Sequence, residues 1–199
     1  MTENRYYSHN ELLQKEPDLA KLRHAHEKLR YSKDEAISEL KDLASSGSIL
    51  ALNYLGDTYR RGDNTDYQEA AKWYRLAFEG GSINAIYHLG TLLLKMNYLK
   101  EAKEILEIGV KINDPPCYYW LARTYEELYP SGDRSGEIEK LLLSASKLGN
   151  ATASTKLGLL YARGRYGLKK IPVGIYMYFT ALLRGLRTLT KDRNDRRLW

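Results

Sequence analysis

The sequence predicts an all-α protein, a solenoid of stacked antiparallel helix pairs, and three observations predict it. A helix-ending Gly or Asn followed four positions later by Ala or Cys recurs at Gly47–Ala51, Gly81–Ala85, Asn113–Cys117 and Gly149–Ala153. With Gly185 as a fifth terminator, the successive spacings are 34, 32, 36 and 36 residues. Between these marks run two apolar grids of helical period, and no run alternates as a strand would.

Each terminator opens a first helix. Ala51, Tyr54, Leu55, Thr58 and Tyr59 stand at i, i+3, i+4, i+7 and i+8. The same register holds for Ala85, His88, Leu89, Leu92 and Leu93, and for Cys117, Trp120, Leu121, Thr124 and Tyr125. It holds again for Ala153, Lys156, Leu157, Leu160 and Tyr161. That spacing lays one stripe along an α-helix. The residue after each central Leu is small: Gly56, Gly90, Ala122 and Gly158. Glycine inside a helix costs about 1 kcal/mol relative to alanine, so its recurrence predicts a close helix crossing.

The second helices have their own grid: Ala70, Trp73, Tyr74 and Ala77; Ala102, Ile105, Leu106 and Gly109; Ile138, Leu141, Leu142 and Ala145; Gly174, Met177, Tyr178 and Ala181. Asp66 with Glu69, and Ser32 with Glu35, have capping-box spacing. Ahead of the first full repeat, Ser32 to Ala44 reads as a lone second helix. Residues 17–30, with Pro17 at the first turn and Leu19, Leu22, His26 and Leu29 as a stripe, supply its partner. Such an incomplete unit suits a cap, since terminal repeats present a polar outer face. The expected organisation is an N-terminal tail and capping helix over 1–31, a repeat solenoid over 32–185 and a basic tail over 186–199.

The residues of these units resemble the Sel-one-like repeat, a relative of the tetratricopeptide repeat. ALNYLGDTYRRGDNTDYQEAAKWYRLAFEGG at 51–81 carries its order of Ala, Leu-Gly, Tyr, a glycine-containing loop, Asp, Ala, Trp-Tyr, Ala and Gly. ASTKLGLLYARGRYGLKKIPVGIYMYFTALLRG at 153–185 follows it, with Pro172 near the start of the second helix. The middle units depart from it, through the tight Lys95–Tyr98 turn and a longer linker at 126–136. The resemblance covers about 32–185. It implies a right-handed superhelix whose first helices line a concave surface, and a scaffold that binds a protein or peptide.

Composition narrows the chemistry. Cys117 is the sole cysteine, which excludes an intramolecular disulfide and a cysteine zinc cluster. The four histidines, His9, His24, His26 and His88, have no ligand spacing; His24 and His26 stand on different helix faces. His88 occupies a packing position and Cys117 an alanine position. No phosphate loop follows a strand, so neither enzyme activity nor a cofactor or metal is expected. No signal peptide is evident, and the longest uncharged run, 171–183, is shorter than the roughly 20 residues a membrane span needs. The expected location is cytoplasmic, with a peripheral place at the inner membrane as the variant the basic end allows.

The candidate site is therefore a surface. Beside the packing stripe of each first helix runs a second one: Asn53, Asp57, Arg60 and Arg61; Tyr87, Thr91 and Lys95; Tyr119, Arg123 and Glu126; Thr155 and Arg163. Tyr and Arg dominate binding hot spots. Seventeen Tyr against two Phe fits half-buried ridges, where the hydroxyl finds a partner. The net charge of +6 divides unevenly, with +9 in residues 151–199 and −3 in the rest. Arg193, Arg196, Arg197 and Trp199 mark this basic end. It suggests a second reading, a regulatory or assembly subunit that docks on an acidic or membrane-associated bacterial complex, such as one for envelope polysaccharide synthesis. Nucleic acid is the weaker partner, because stacking aromatics are not interleaved with the charge.

Overall fold

The computed structural model describes residues 6–61 and 65–191, with side chains as far as Leu183. Eleven α-helices and a short 3-10 helix make up the described residues: α1 (His9–Gln14), α2 (Leu19–Lys28), α3 (Lys33–Ser45), α4 (Ile49–Arg60), α5 (Tyr67–Glu79), α6 (Ile83–Lys95), α7 (Leu99–Lys111), α8 (Pro115–Leu128), α9 (Ser135–Lys147), α10 (Ala151–Ala162) and α11 (Ile171–Lys191), the 3-10 turn being Leu168–Lys170. They fall into two compact units, divided within α8 between Cys117 and Tyr118.

The turns that join a second helix to the next first helix are built alike. Gly47, Gly81, Asn113 and Gly149 all adopt the left-handed conformation, with φ of 95°, 88°, 62° and 90°. The residue after each closes the preceding helix by donating its N–H five positions back: Ser48 to Leu43, Ser82 to Ala77, Asp114 to Gly109 and Asn150 to Ala145, at 2.9–3.0 Å. This is the Schellman closure. Ser48, Ser82 and Asn150 then cap the next helix, accepting from the N–H of Ala51, Ala85 and Ala153.

Within the first unit α4 packs on α5, α6 on α7, and α5 stacks on α6. The small residues of the first helices mark the crossings. A Cβ on Gly56 would lie 2.7 Å from the Tyr74 ring, and one on Gly90 would lie 2.6 Å from Leu106. The first unit holds two buried clusters, one around Leu22, Leu40, Leu50 and Leu55, the other around Tyr74, Leu89, Leu93 and Ala102. In the second unit Ile138, Leu142, Leu157 and Tyr161 form the core. There α10 and α11 approach backbone to backbone. A Cβ on Gly158 would stand 2.8 Å from the Tyr178 nitrogen, and one on Gly174 would stand 2.4 Å from the Ala162 nitrogen.

Two features near the ends of the described residues differ from the sequence expectation, as do Pro17, which precedes the Asp18 cap of α2, and Ser32, which makes no side-chain cap to α3. Residues 6–16 are structured. Tyr7 donates its N–H to the Gly81 carbonyl at 2.7 Å and accepts from the Ile83 N–H at 3.1 Å. A Ser8–Glu11 capping box starts α1, Leu12 is buried in the first core, and the Ser48 hydroxyl donates to Glu16 at 2.8 Å. This segment ties the turns before α4 and α6 together. The second difference is Gly185, which lies inside α11 and does not end it. The four true terminators are each followed by Ser, Asp or Asn, which cap a new helix, whereas Leu186 follows Gly185. Pro172 sits in the first turn of α11, where its missing N–H is not needed.

Candidate functional site

In the first unit the expected surface stripe lies on α4 and α6, and its geometry is set from within. Tyr74 of α5 has its ring fully buried under Gly56, and its hydroxyl donates to Asp57 Oδ1 at 2.8 Å. Arg60 donates through Nε to the same hydroxyl at 3.0 Å and through Nη2 to Asp57 at 2.8 Å. Arg61 Nη2 stands 3.6 Å from Asp57 and remains largely exposed. The His88 ring of α6 stacks on Tyr74 with centroids 5.2 Å apart, and Tyr87 leans on His88 at 4.7 Å. One connected arrangement thus runs from the end of α4 to the middle of α6.

The electrostatics follow from burial and partners. Burial pulls the His88 imidazole down to about 4; Asp57 opposes that shift, and Arg60 and Arg61 add to it. Burial alone would raise the Asp57 carboxyl, but the hydrogen bond from Arg60, the field of His88 and the hydrogen bond from Tyr74 hold it below the usual range. The Tyr74 phenol is pushed upward by burial and by Asp57. At neutral pH the face therefore displays an ionised Asp57 and a charged Arg60 over a neutral imidazole.

A cavity of about 360 Å³ opens beside this network. Its walls are His26 of α2 and Leu29 just after it, Lys33 of α3, and Tyr54, Asp57 and Thr58 of α4 with Arg61 just after it. The His26 and Tyr54 rings face each other at 4.4 Å. In the sequence His26 and Tyr54 read as packing residues. Their part in a cavity depends on how α2 meets α4, which no local spacing reveals.

The other stripe residues of the first unit divide. Asn53 was expected on the open surface, and the structure corrects this: it is 7% exposed, and its Nδ2 donates to Ser82 Oγ at 3.0 Å. It fastens the cap of α6 to α4, because a buried amide must be satisfied. Thr91 turns its hydroxyl back to the His88 carbonyl. Lys95 is exposed, lies 4.3 Å over the Tyr67 ring and bonds the Tyr67 hydroxyl.

In the second unit Tyr119 sets its ring edge-on to Trp120 at 5.3 Å. Arg123 reaches Glu127 at 3.6 Å and Glu126 at 4.0 Å, and Glu126 pairs with Lys156 of α10. Thr155 bonds the Ala151 carbonyl, and Arg163 is exposed at the end of α10. Arg193, Arg196, Arg197 and Trp199 lie outside the described residues. Cys117 is buried, donates to Asp114 Oδ2 at 3.0 Å, and has its thiol pushed far up by burial. Among the described residues no three His, Cys, Asp or Glu gather as a metal-ligand set.

Repeated helix pairs with Schellman turns, glycine crossings and a polar first-helix face define an α-helical repeat protein. The chain has the fold of the Sel1-like and tetratricopeptide-like repeat solenoids. It is similar to a Sel1 repeat protein from Oxalobacter formigenes, with a TM-score of 0.67 and 22% identity, over 85% of this chain and 74% of that one. It is also similar to YrrB, described as a TPR protein with an unusual peptide-binding site, with a TM-score of 0.60 and 19% identity, over 86% of this chain and 91% of that one. By sequence it is 27% identical over 151 residues to the DAP3-binding cell death enhancer 1 of Rattus norvegicus. That match takes in 68% of this chain, which spans only 30% of the rat protein's length. No protein-family profile matches the chain.

Proposed function

We propose that the chain is an adaptor that holds a protein or peptide partner against the first helices of its repeats. The observation that carries this reading is the α4–α6 face of the first unit. There Asp57 and Arg60 are fixed by a buried tyrosine, beside a cavity walled by His26 and Tyr54 and edged by Lys33 and Arg61. Groups already held in one geometry lose little freedom on binding, so more of their interaction energy appears as affinity. The cavity admits a side chain, and the fixed charges pair with backbone or side-chain polar groups on either side of it. Two similar proteins are named for binding, one a peptide and the other DAP3, which supports a protein partner.

The test begins with a displayed random-peptide library selected on the full chain, followed by calorimetric titration of the recovered peptides. Tyr87→Ala and Arg61→Ala alter the first-unit face, and Tyr119→Ala alters the second. Loss of a hot-spot side chain costs about 2 kcal/mol, a loss of affinity of well over tenfold. At least one of the three variants should show it while retaining wild-type helicity. Peptides that bind all three variants as tightly as the wild type would place recognition elsewhere.

A further inference from the structure

The second helix of the last repeat has a face on which nothing packs among the described residues. Along α11, Gly174 and Ala181 turn toward α10, and Gly174 lies against Tyr161 and Ala162. On the opposite side Ile175, Tyr176, Phe179, Leu182 and Leu183 occupy positions i, i+1, i+4, i+7 and i+8, a single helical stripe. They are 46–71% exposed, and Leu168 just before the helix is 79% exposed. Isolated exposed leucines are ordinary, but a contiguous stripe of five large apolar side chains marks an interaction surface.

Charge selects what covers it. From Lys140 to Lys191 the chain contains ten Lys or Arg and no Asp or Glu; of these, Lys156 and Lys170 pair with Glu126 and Glu139. Arg163, Arg165 and Lys169 are exposed immediately ahead of α11, and the helix itself continues through Arg184, Arg187 and Lys191. A second copy of the chain would bring two such like-charged ends together. An anionic surface would neutralise them. The helix is 21 residues, roughly 30 Å long, which suits lying along an interface. No helix among the described residues is long and apolar enough to cross a membrane. Aromatic and aliphatic side chains flanked by Lys and Arg are the pattern of helices that seat in the headgroup–acyl boundary. In this chain the body of the repeat occupies the side that such a helix leaves in water.

We infer that α11 binds the surface of an anionic lipid bilayer, inserting Ile175, Tyr176, Phe179, Leu182 and Leu183 between headgroups while the surrounding basic residues meet the lipid charge. The residues it uses are separate from those of the α4–α6 face.

The experiment is co-sedimentation of the full chain with phosphatidylcholine vesicles, with and without phosphatidylglycerol, alongside light scattering for oligomeric state. The chain should sediment with the phosphatidylglycerol vesicles and not with the neutral ones. Phe179→Ser with Leu183→Ser should lower the partition coefficient by at least about tenfold, since each buried side chain of this size contributes that much or more. Both residues are exposed, and circular dichroism checks that the variant keeps its helicity. Tyr176→Ser, at the most exposed position of the stripe, provides a second and milder variant with a smaller loss in the same direction. Absence of sedimentation with anionic vesicles overturns the inference. So does binding that neither variant weakens, which would assign it to charge alone. A dimer in solution that the double variant converts to monomer, without vesicle binding, would show that a second copy covers the stripe.

Discussion

Acidification should destabilise the first unit through one side chain. His88 is held neutral, at about 4, against an ordinary value of 6.5. A histidine with a lowered folded value binds its proton more readily in the unfolded chain, so stability is complete above the unfolded value and declines as pH falls toward the folded one. Between pH ~7.5 and ~5 the difference amounts to about 2 kcal/mol, because at the lower pH the unfolded imidazole is nearly all protonated and the folded one is not. For a chain of this size that is a fall of about 4–8 °C in melting temperature. Asp57 also has a lowered value, but its stabilisation disappears only within and below the carboxylate range, so it remains ionised through this interval. Glu16 is raised by burial and acts in the opposite direction near the acid end. His88→Phe isolates the contribution of the imidazole. Phe keeps a ring against Tyr74 and Tyr87, and Tyr54 and Trp120 occupy the same register in neighbouring repeats. Circular-dichroism melts of both proteins at the two pH values should show the wild type losing several degrees more than the variant. Equal losses would mean that His88 takes up its proton in the folded chain, and the account of a buried neutral imidazole would be wrong.

Two stability predictions rest on packing. Gly174→Ala places a methyl 2.4 Å from the Ala162 nitrogen, a backbone atom that cannot turn aside, so urea unfolding should show a loss at or above the usual overpacking cost of about 1–3 kcal/mol. Leu12→Ala removes a side chain that is only 3% exposed from the first core; it should cost about 2–5 kcal/mol, and it should accelerate hydrogen exchange at the Ile83 amide, which bonds Tyr7.

Much of the fold is legible in the sequence because a repeat states each packing rule several times. One glycine is ambiguous, but Gly56, Gly90 and Gly158 at one grid position predict a close crossing, and each meets the opposing helix. The four left-handed terminators are legible for the same reason. The N-terminal segment has no such support. A six-residue helix and one backbone bridge from Tyr7 to the turn before α6 leave no period to detect, and their partner lies some 75 positions along the chain. Gly185 shows the limit of pattern by analogy, since a terminator also needs the capping residue after it. Asn53 shows the limit of reading a face from spacing. Its register is that of the exposed stripe, but Ser82, 29 positions away, takes its amide.

Two of the seventeen tyrosines, Tyr74 and Tyr161, join core to surface. Tyr74 packs its ring beneath Gly56 and extends its hydroxyl to Asp57 and Arg60. In the second unit Tyr161, also in the core, donates its hydroxyl to Glu139 at 2.5 Å, and Lys170 pairs with the same carboxylate while lying over the Tyr161 ring. Each ring contributes apolar burial, and each hydroxyl carries the fixed position of that ring outward to an ion pair at the edge of the core. A phenylalanine would pack as well but leave the charges to solvent, where a surface ion pair contributes about 0–1 kcal/mol and holds no single geometry. An exposed salt bridge is a loose element of a binding surface. One anchored to a buried phenol keeps its geometry for as long as the repeat beneath it stays folded, so the charges presented to a partner are ordered by the same packing that orders the helices.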